Sequence, residues 1–254
     1  MRISRASFLR VALVLVLVAA PEALCRAGIV GRLTMIPPSE MVLALIAIVL
    51  HADWFWTDFI YTVRNLAAAA IASILLGYGL GLVIHALPRV RRALEPVLLS
   101  YYSVPTFVFY PLLIVMFGIG PLSLIALGTI FAVVAMLVAT LTAIDRIPRG
   151  LFKVARITRL TPLQRLVHIK LPAAAPHIFT GVKLAVIYSV IGVIAGEFIV
   201  STAGIGRRIA FAYNDFDNRT MYGMLLLVIS LVVVLNAALQ GLEQHLHRRW
   251  VRRT

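Results

Sequence analysis

The sequence predicts an all-α integral membrane protein. Three observations lead there: an apolar composition, six long and almost uncharged stretches, and cations gathered between those stretches. Of the 254 residues, 61% are hydrophobic and 13% charged, whereas soluble domains are about half apolar and about a quarter charged. The formal net charge of +14 would suit a nucleic-acid binder if the cations formed one patch. They instead alternate with apolar runs along the chain, so nucleic acid is not an expected partner. Cys25 is the only cysteine, which excludes an internal disulfide and any cysteine-rich metal site. The bulky Leu24 before it argues against a lipoprotein cleavage site.

A bilayer core roughly 30 Å thick needs about 20 apolar residues in a helix, whose backbone satisfies its own hydrogen bonds. Six stretches qualify: Phe8 to Leu24, Leu66 to His85, Val97 to Phe117, Leu122 to Thr142, Leu184 to Val200 and Tyr222 to Leu242. The first follows Arg2, Arg5 and Arg10 and would also suit a secretory signal, with Ala19-Ala20 as cleavage residues. A retained helix is preferred, because an even number of spans puts both termini in the cytoplasm. The cations test that topology. It places Arg2, Arg5, Arg10, Arg89, Arg91, Arg92, the basic segment Arg146 to Lys170 and the terminal Arg248, Arg249, Arg252 and Arg253 inside. Only Arg26, Arg32, Arg64, Arg207, Arg208 and Arg219 remain outside, with Lys183 at a helix end, which is the positive-inside bias.

Between the first two spans, Pro37-Pro38-Ser39-Glu40 precedes Met41 to Leu50, an apolar run too short to cross. Ser39 is expected as the N-cap of an interfacial helix, followed by Trp54, Trp56 and Tyr61 at headgroup depth. In the second span Ala69, Ser73, Gly77 and Gly81 recur every four residues and put small side chains on one face for close helix packing. Pro105 and Pro111 interrupt the third span, kinking or breaking it. A pathway-lining kink and a bent packing helix are both open readings there.

The longest connection, Asp145 to Pro176, carries structure of its own. Gly150 to Arg159 contains no helix breaker, and Thr161-Pro162-Leu163-Gln164 supplies an N-cap, a proline at the first helical position and a Gln placed to close a capping box. Leu163, Leu166, Val167 and Ile169 follow, interleaved with Arg165, His168 and Lys170, until Leu171-Pro172 ends the segment. The result is a capped, basic, amphipathic helix with apolar residues to bury outside the bilayer.

At this point the sequence resembles the permease subunits of binding-protein-dependent ABC importers. Ile169-Lys170-Leu171-Pro172 matches the Ile-x-Leu-Pro end of their cytoplasmic signature, and Lys153-Val154-Ala155 and Arg159 fall at the spacing of its Glu-Ala-Ala and Gly. Pro172 to Gly181, Gly196-Glu197-Phe198-Ile199, Ala203-Gly204-Ile205-Gly206 and Arg248-Arg249-Trp250 are similar to the nitrate, sulfonate and taurine branch. The resemblance covers roughly Pro37 to Trp250. It implies a transmembrane domain over 37–250, preceded by an N-terminal helix and linker over 1–36 and followed by a basic cytoplasmic tail over 251–254. It implies a coupling helix between the fourth and fifth spans, about Thr161 to Lys170, seated on a separate ATPase subunit. Lys153, Ala155, Arg156, Arg159, Leu160, Thr161, Leu163, Gln164, Ile169, Leu171 and Pro172 would form that contact. Lys153 reverses the charge of the family's Glu and Arg159 replaces a turn-easing Gly, which points to a matched acidic surface on the partner.

No Gly-x-x-x-x-Gly-Lys-Ser/Thr loop occurs in the sequence, so ATP and Mg are expected on the partner subunit and no cofactor on this chain. No triad, zinc motif or carboxylate pair stands out, and no enzymatic activity is expected. Glu197 is the exceptional ionisable residue inside a span; with Ser189 and Pro105 it is a candidate for the translocation pathway, although an interhelical structural role is open for each. An ion-coupled secondary transporter is the rival class, and it would require more buried ionisable groups than these spans hold. By resemblance the importer joins two copies of this permease with two ATPase subunits and a periplasmic or lipid-anchored solute-binding protein, in a bacterial inner membrane. The branch carries nitrate, sulfonates and taurine, and also thiamine-precursor pyrimidines and other small organic nutrients.

Overall fold

The structure, a computed structural model, describes residues 5–101, 103–148, 150, 151, 161, 164 and 171–251. Among these the chain is all helical. The helices are α1 (Arg5–Arg26), α2 (Pro38–His51), α3 (Phe55–Ala86), α4 (Pro88–Tyr101), a 3-10 turn (Thr106–Phe109), α5 (Tyr110–Phe117), α6 (Pro121–Asp145), α7 (Leu171–Ile199), α8 (Ile205–Asn214) and α9 (Asn218–Val251). Four of them are long and apolar enough to cross a bilayer over Phe55–Ala86, Pro121–Asp145, Ala173–Ile199 and Asn218–His245.

α6 is the central helix, packed along α3 on one side and α7 on the other. The expected small-residue face of α3 is what touches it. Ala69, Ser73, Gly77 and Gly81 are all buried, and a Cβ placed on Gly77 would stand 2.6 Å from the Val133 carbonyl oxygen and 2.7 Å from Met136 Cβ. The same stripe extends toward the start of α3 through Asn65, Thr62 and Asp58, all buried. α7 reaches α6 through glycines in the same way, since a Cβ on Gly192 would lie 2.6 Å from the Gly128 Cα. Large apolar side chains of α3 point away from this seam, with Ile71 59%, Leu75 67% and Val83 56% exposed. The seam between these helices is therefore lined by small and partly polar residues while the outer surface is apolar, unlike the surface of a soluble bundle.

The third stretch is not a continuous helix, because its prolines divide it. α4 carries Pro96 internally, and Pro105 sits at φ −70°, ψ 90° at the start of the 3-10 turn. A proline disfavours helical backbone at the preceding residue, here Val104. Pro111 lies in the first turn of α5, where its missing N–H has no intrahelical acceptor to lose. The Ser123 hydroxyl donates to the carbonyl oxygens of Gly118 (2.5 Å) and Leu113 (3.2 Å), satisfying backbone at the far end of α5.

Two expected boundaries shift. Pro37, not Ser39, occupies the N-cap of α2, with Pro38 at the first helical position. Pro38 presets the helical φ, and Ser39 is drawn into a bond to α1: its hydroxyl (2.7 Å) and its N–H (3.0 Å) donate to the Glu22 carboxylate. The fifth stretch begins earlier than Leu184, with Leu171–Pro176 already in α7. Leu171-Pro172 therefore opens a helix, since proline is tolerated in a first turn.

Replacing Gly77 by Leu is expected to destabilise the purified protein by about 1–3 kcal/mol or more through overpacking. Gly79→Leu, whose Cβ would meet nothing within 4 Å, should leave the melting temperature nearly unchanged. Thermal unfolding in detergent of the two variants side by side checks this.

Candidate functional site

Two regions gather the functional residues, one at each end of the α6–α7 pair. At the first, the chain leaves α6 after Asp145 and returns at Leu171. Its capping box is formed: the Thr161 N–H donates to Gln164 Oε1 (2.9 Å), and the Gln164 N–H donates to the Thr161 hydroxyl (3.3 Å). These reciprocal bonds satisfy donors that a helix start leaves unpaired. Lys153, Ala155, Arg156, Arg159, Leu160, Leu163 and Ile169 lie outside the described residues.

The roots of this loop are packed together. Ile147 on the outgoing side and Ala174 on the returning side share a buried cluster with Ala143 and Ile144, against which Leu82 of α3 packs. Asp145 is held by Arg91 of α4 through both guanidinium nitrogens, with Arg91 Nη1 to Oδ1 at 2.8 Å and Nη2 to Oδ2 as the second contact. His85 Nδ1 stands 3.9 Å from the same carboxylate.

At the opposite end, α7 turns sharply into α8. Gly204 adopts φ +113°, a conformation open to glycine and costly for other residues. Its own Cβ would also meet the Glu197 carboxylate oxygens at 2.5 Å. The first N–H groups of α8 are then satisfied from two other helices. Gly204 N–H donates to Asp58 Oδ1 (2.9 Å), Ile205 N–H to the Thr62 hydroxyl (2.9 Å) and Gly206 N–H to Glu197 Oε2 (3.0 Å). The Thr62 hydroxyl in turn donates to the Glu197 carboxylate at 2.8–2.9 Å. Carboxylates at a helix N-terminus also meet the favourable end of its dipole. Asp58 is neutralised by Arg208, whose Nε lies 2.5 Å from Oδ2 and whose guanidinium stacks 4.4 Å over the Trp54 ring.

Glu197 is thus 1% exposed and engaged in holding α8 to α3 and α7. Ser189 and Asn65 are fully buried, and neither side chain makes a hydrogen bond among the described residues. Pro105 sits in the exposed break before the 3-10 turn, and no hydrogen bond joins it to Glu197 or Ser189 among the described residues. The sequence reading missed Asp58, Thr62 and Arg208. Extending the stripe back from Ala69 at about 3.6 residues per turn would have placed Asn65, Thr62 and Asp58 on the buried face, but nothing local indicated that α8 would fold back onto them.

A bundle with a partly polar seam, an apolar exterior and four helices long and apolar enough to cross a bilayer defines a membrane-embedded protein. The pattern of the family described as binding-protein-dependent transport system inner membrane component matches residues 73–252, and the chain belongs to that family of ABC importer permeases, which are non-catalytic subunits. It is 26% identical over 218 residues to the taurine transport system permease protein TauC of Escherichia coli (strain K12), covering 83% of this chain and 78% of that protein. It is 28% identical over 187 residues to the nitrate import permease protein NrtB of Leptolyngbya laminosa, covering 74% and 66%. Its fold is similar to a chain of the MetNI methionine ABC transporter, solved in inward-facing conformations, with a TM-score of 0.64, 21% identity, and coverage of 76% of this chain and 98% of that one.

Thr62→Val would strand the Ile205 N–H and one partner of Glu197 in a buried site, a loss of about 1–3 kcal/mol. The expected result is faster hydrogen exchange at the amides of 204–206, with Glu197→Ala giving the same pattern. Unchanged protection of those amides would show that the bonds do not hold the turn.

Proposed function

We propose that this chain is the membrane-spanning subunit of an ATP-driven importer in a bacterial inner membrane, and that it moves a small anion such as nitrate, taurine or another sulfonate. In this reading six segments span, both termini are cytoplasmic, and 37–250 form the transmembrane domain between a short N-terminal segment (1–36) and a basic tail (251–254). The observation that carries it is the capping box of Thr161 and Gln164, which starts a helix at the position of the family's coupling helix. The chain has no phosphate-binding loop to use ATP itself. The coupling helix, about Thr161 to Lys170, seats on an ATPase subunit through Lys153, Ala155, Arg156, Arg159, Leu160, Leu163, Ile169 and the Leu171-Pro172 start of α7. The cationic Lys153 and Arg159 call for acidic residues on that partner.

Two permease copies, two ATPase subunits carrying ATP and Mg, and a periplasmic or lipid-anchored solute-binding protein complete the machine. One chain with this few spans makes half a pathway, so a second copy is required to enclose one. The names of TauC and NrtB support the anion class; thiamine-precursor pyrimidines and other small organic nutrients are the alternative cargo. An ion-coupled transporter is not favoured, because Asp58 and Glu197 are committed to structural bonds and Lys183 is paired with Glu243 at 2.7 Å. Glu197, Ser189 and Pro105 remain pathway candidates in this reading, with Ser189 the strongest because its hydroxyl is uncommitted among the described residues.

The test is uptake of labelled taurine and nitrate into vesicles holding the permease, the ATPase subunit and the binding protein encoded beside them. ATP should drive uptake. Arg159→Glu or Leu163→Glu should lower it by about tenfold and loosen the ATPase subunit, as expected for an interface anchor, while membrane insertion is kept. Uptake driven by an ion gradient without ATP would reject the reading.

A further inference from the structure

α4 runs antiparallel to the second half of α6 and is fastened to it at three levels. Arg91 forks onto Asp145 at the last turn of α6. Leu94 and Leu98 lie against the buried Leu137 and Leu141, together with Ile84 of α3. The Tyr101 hydroxyl donates to the Ile130 carbonyl oxygen at 2.5 Å. The 3-10 turn at Thr106–Phe109 and α5 follow α4 directly in the chain.

The lowest fastening differs from the other two. Leu94, Leu98 and Tyr101 meet α6 further from the loop, at Leu141, Leu137 and Ile130. Asp145 is the final residue of α6 and the first before the α6–α7 loop; His85 of α3 stands 3.9 Å from its carboxylate, and Ile147 and Ala174 pack beside it in one buried cluster. Of the α6 residues joined to α4, Asp145 is the nearest in sequence to the loop. The bidentate fork also has the geometry in which an exposed ion pair holds direction, where a single-point contact between long side chains would slip.

We propose that Arg91 and Asp145 form the strut through which movement of the α6–α7 loop is passed to α4 and the broken third segment. The pair consists of positioning residues, since neither touches cargo or nucleotide. The inference rests on the reading of that loop as the contact with an ATPase subunit. Without the strut the loop still binds the ATPase subunit, but α4 no longer follows it.

The experiment uses the full permease with its ATPase subunit in nanodiscs, with Cys25→Ser removing the native thiol. Spin labels are placed at Ala93→Cys on α4 and Leu80→Cys on α3, both exposed positions. The distance between them is compared with and without ATP plus vanadate. The unmodified pair is expected to give a nucleotide-dependent change in distance. Arg91→Asp and Asp145→Arg should each reduce that change by about fivefold or more, while the ATPase subunit still co-purifies and the melting temperature shows the bundle intact. The charge-swapped double variant, R91D with D145R, should restore it. A change that survives the single reversals, an absent change in the unmodified protein, or a swap that fails to restore it would overturn the strut. Failure of the unmodified permease to retain the ATPase subunit would instead overturn the importer reading, and the strut with it; co-purification therefore separates the two failures.

Discussion

Helices in a bilayer cannot rely on water to drive them together, because lipid tails are as apolar as leucine side chains. What holds this bundle is backbone-to-backbone approach along α6. Gly128 and Gly192 meet where a Cβ would stand 2.6 Å from the opposing Cα. Gly77 and Gly81 of α3 lie as near to Val133, Met136 and Thr140. At such distances dispersion contacts are many, and the buried hydroxyls of Ser73 and Thr140 bond to carbonyl oxygens of their own helices. Every other feature is hung on this three-helix spine.

The two ends of this close-packed spine are built differently. At one end three successive N–H groups at the start of α8 are satisfied by Asp58, Thr62 and Glu197, so a turn that would leave unpaired donors becomes a fixed corner. The buried carboxylate of Glu197 is tolerable there because it accepts from both a hydroxyl and a backbone amide. At the other end the loop is rooted in a small apolar cluster and one forked ion pair, with its own helix start capped by Thr161 and Gln164. The corner is closed by buried polar groups, and the root by a buried apolar cluster with a half-exposed ion pair beside it.

Much of this was legible in the sequence for reasons of local chemistry. Four of the six apolar runs as long helices, the capping box, the small-residue face of α3 and the disruption by Pro105 each depend on residues within a few positions of one another, and each appears in the structure. The relocated N-cap of α2 shows where local reasoning gave way. Ser39 has the side chain for a cap, but Glu22, seventeen positions away, takes both its hydroxyl and its N–H. The start of α7 moved for a similar reason: Ala173 and Ala174 pack into the loop-root cluster, which favours continuing the helix back through Pro176.

By itself the sequence determined the all-helical class, the order of the long apolar segments and the capping box after α6, because hydropathy and capping are short-range properties. Tertiary structure alone decided what the isolated polar residues do. Asp58 and Gly204 are 146 positions apart, Thr62 and Glu197 135, and Arg91 and Asp145 54. No periodicity links residues so distant; they meet because α3, α6 and α7 pack closely enough to bring their ends together. A glutamate that reads in the sequence as a lone charge in a membrane helix is, once those helices are packed, the cap of another helix.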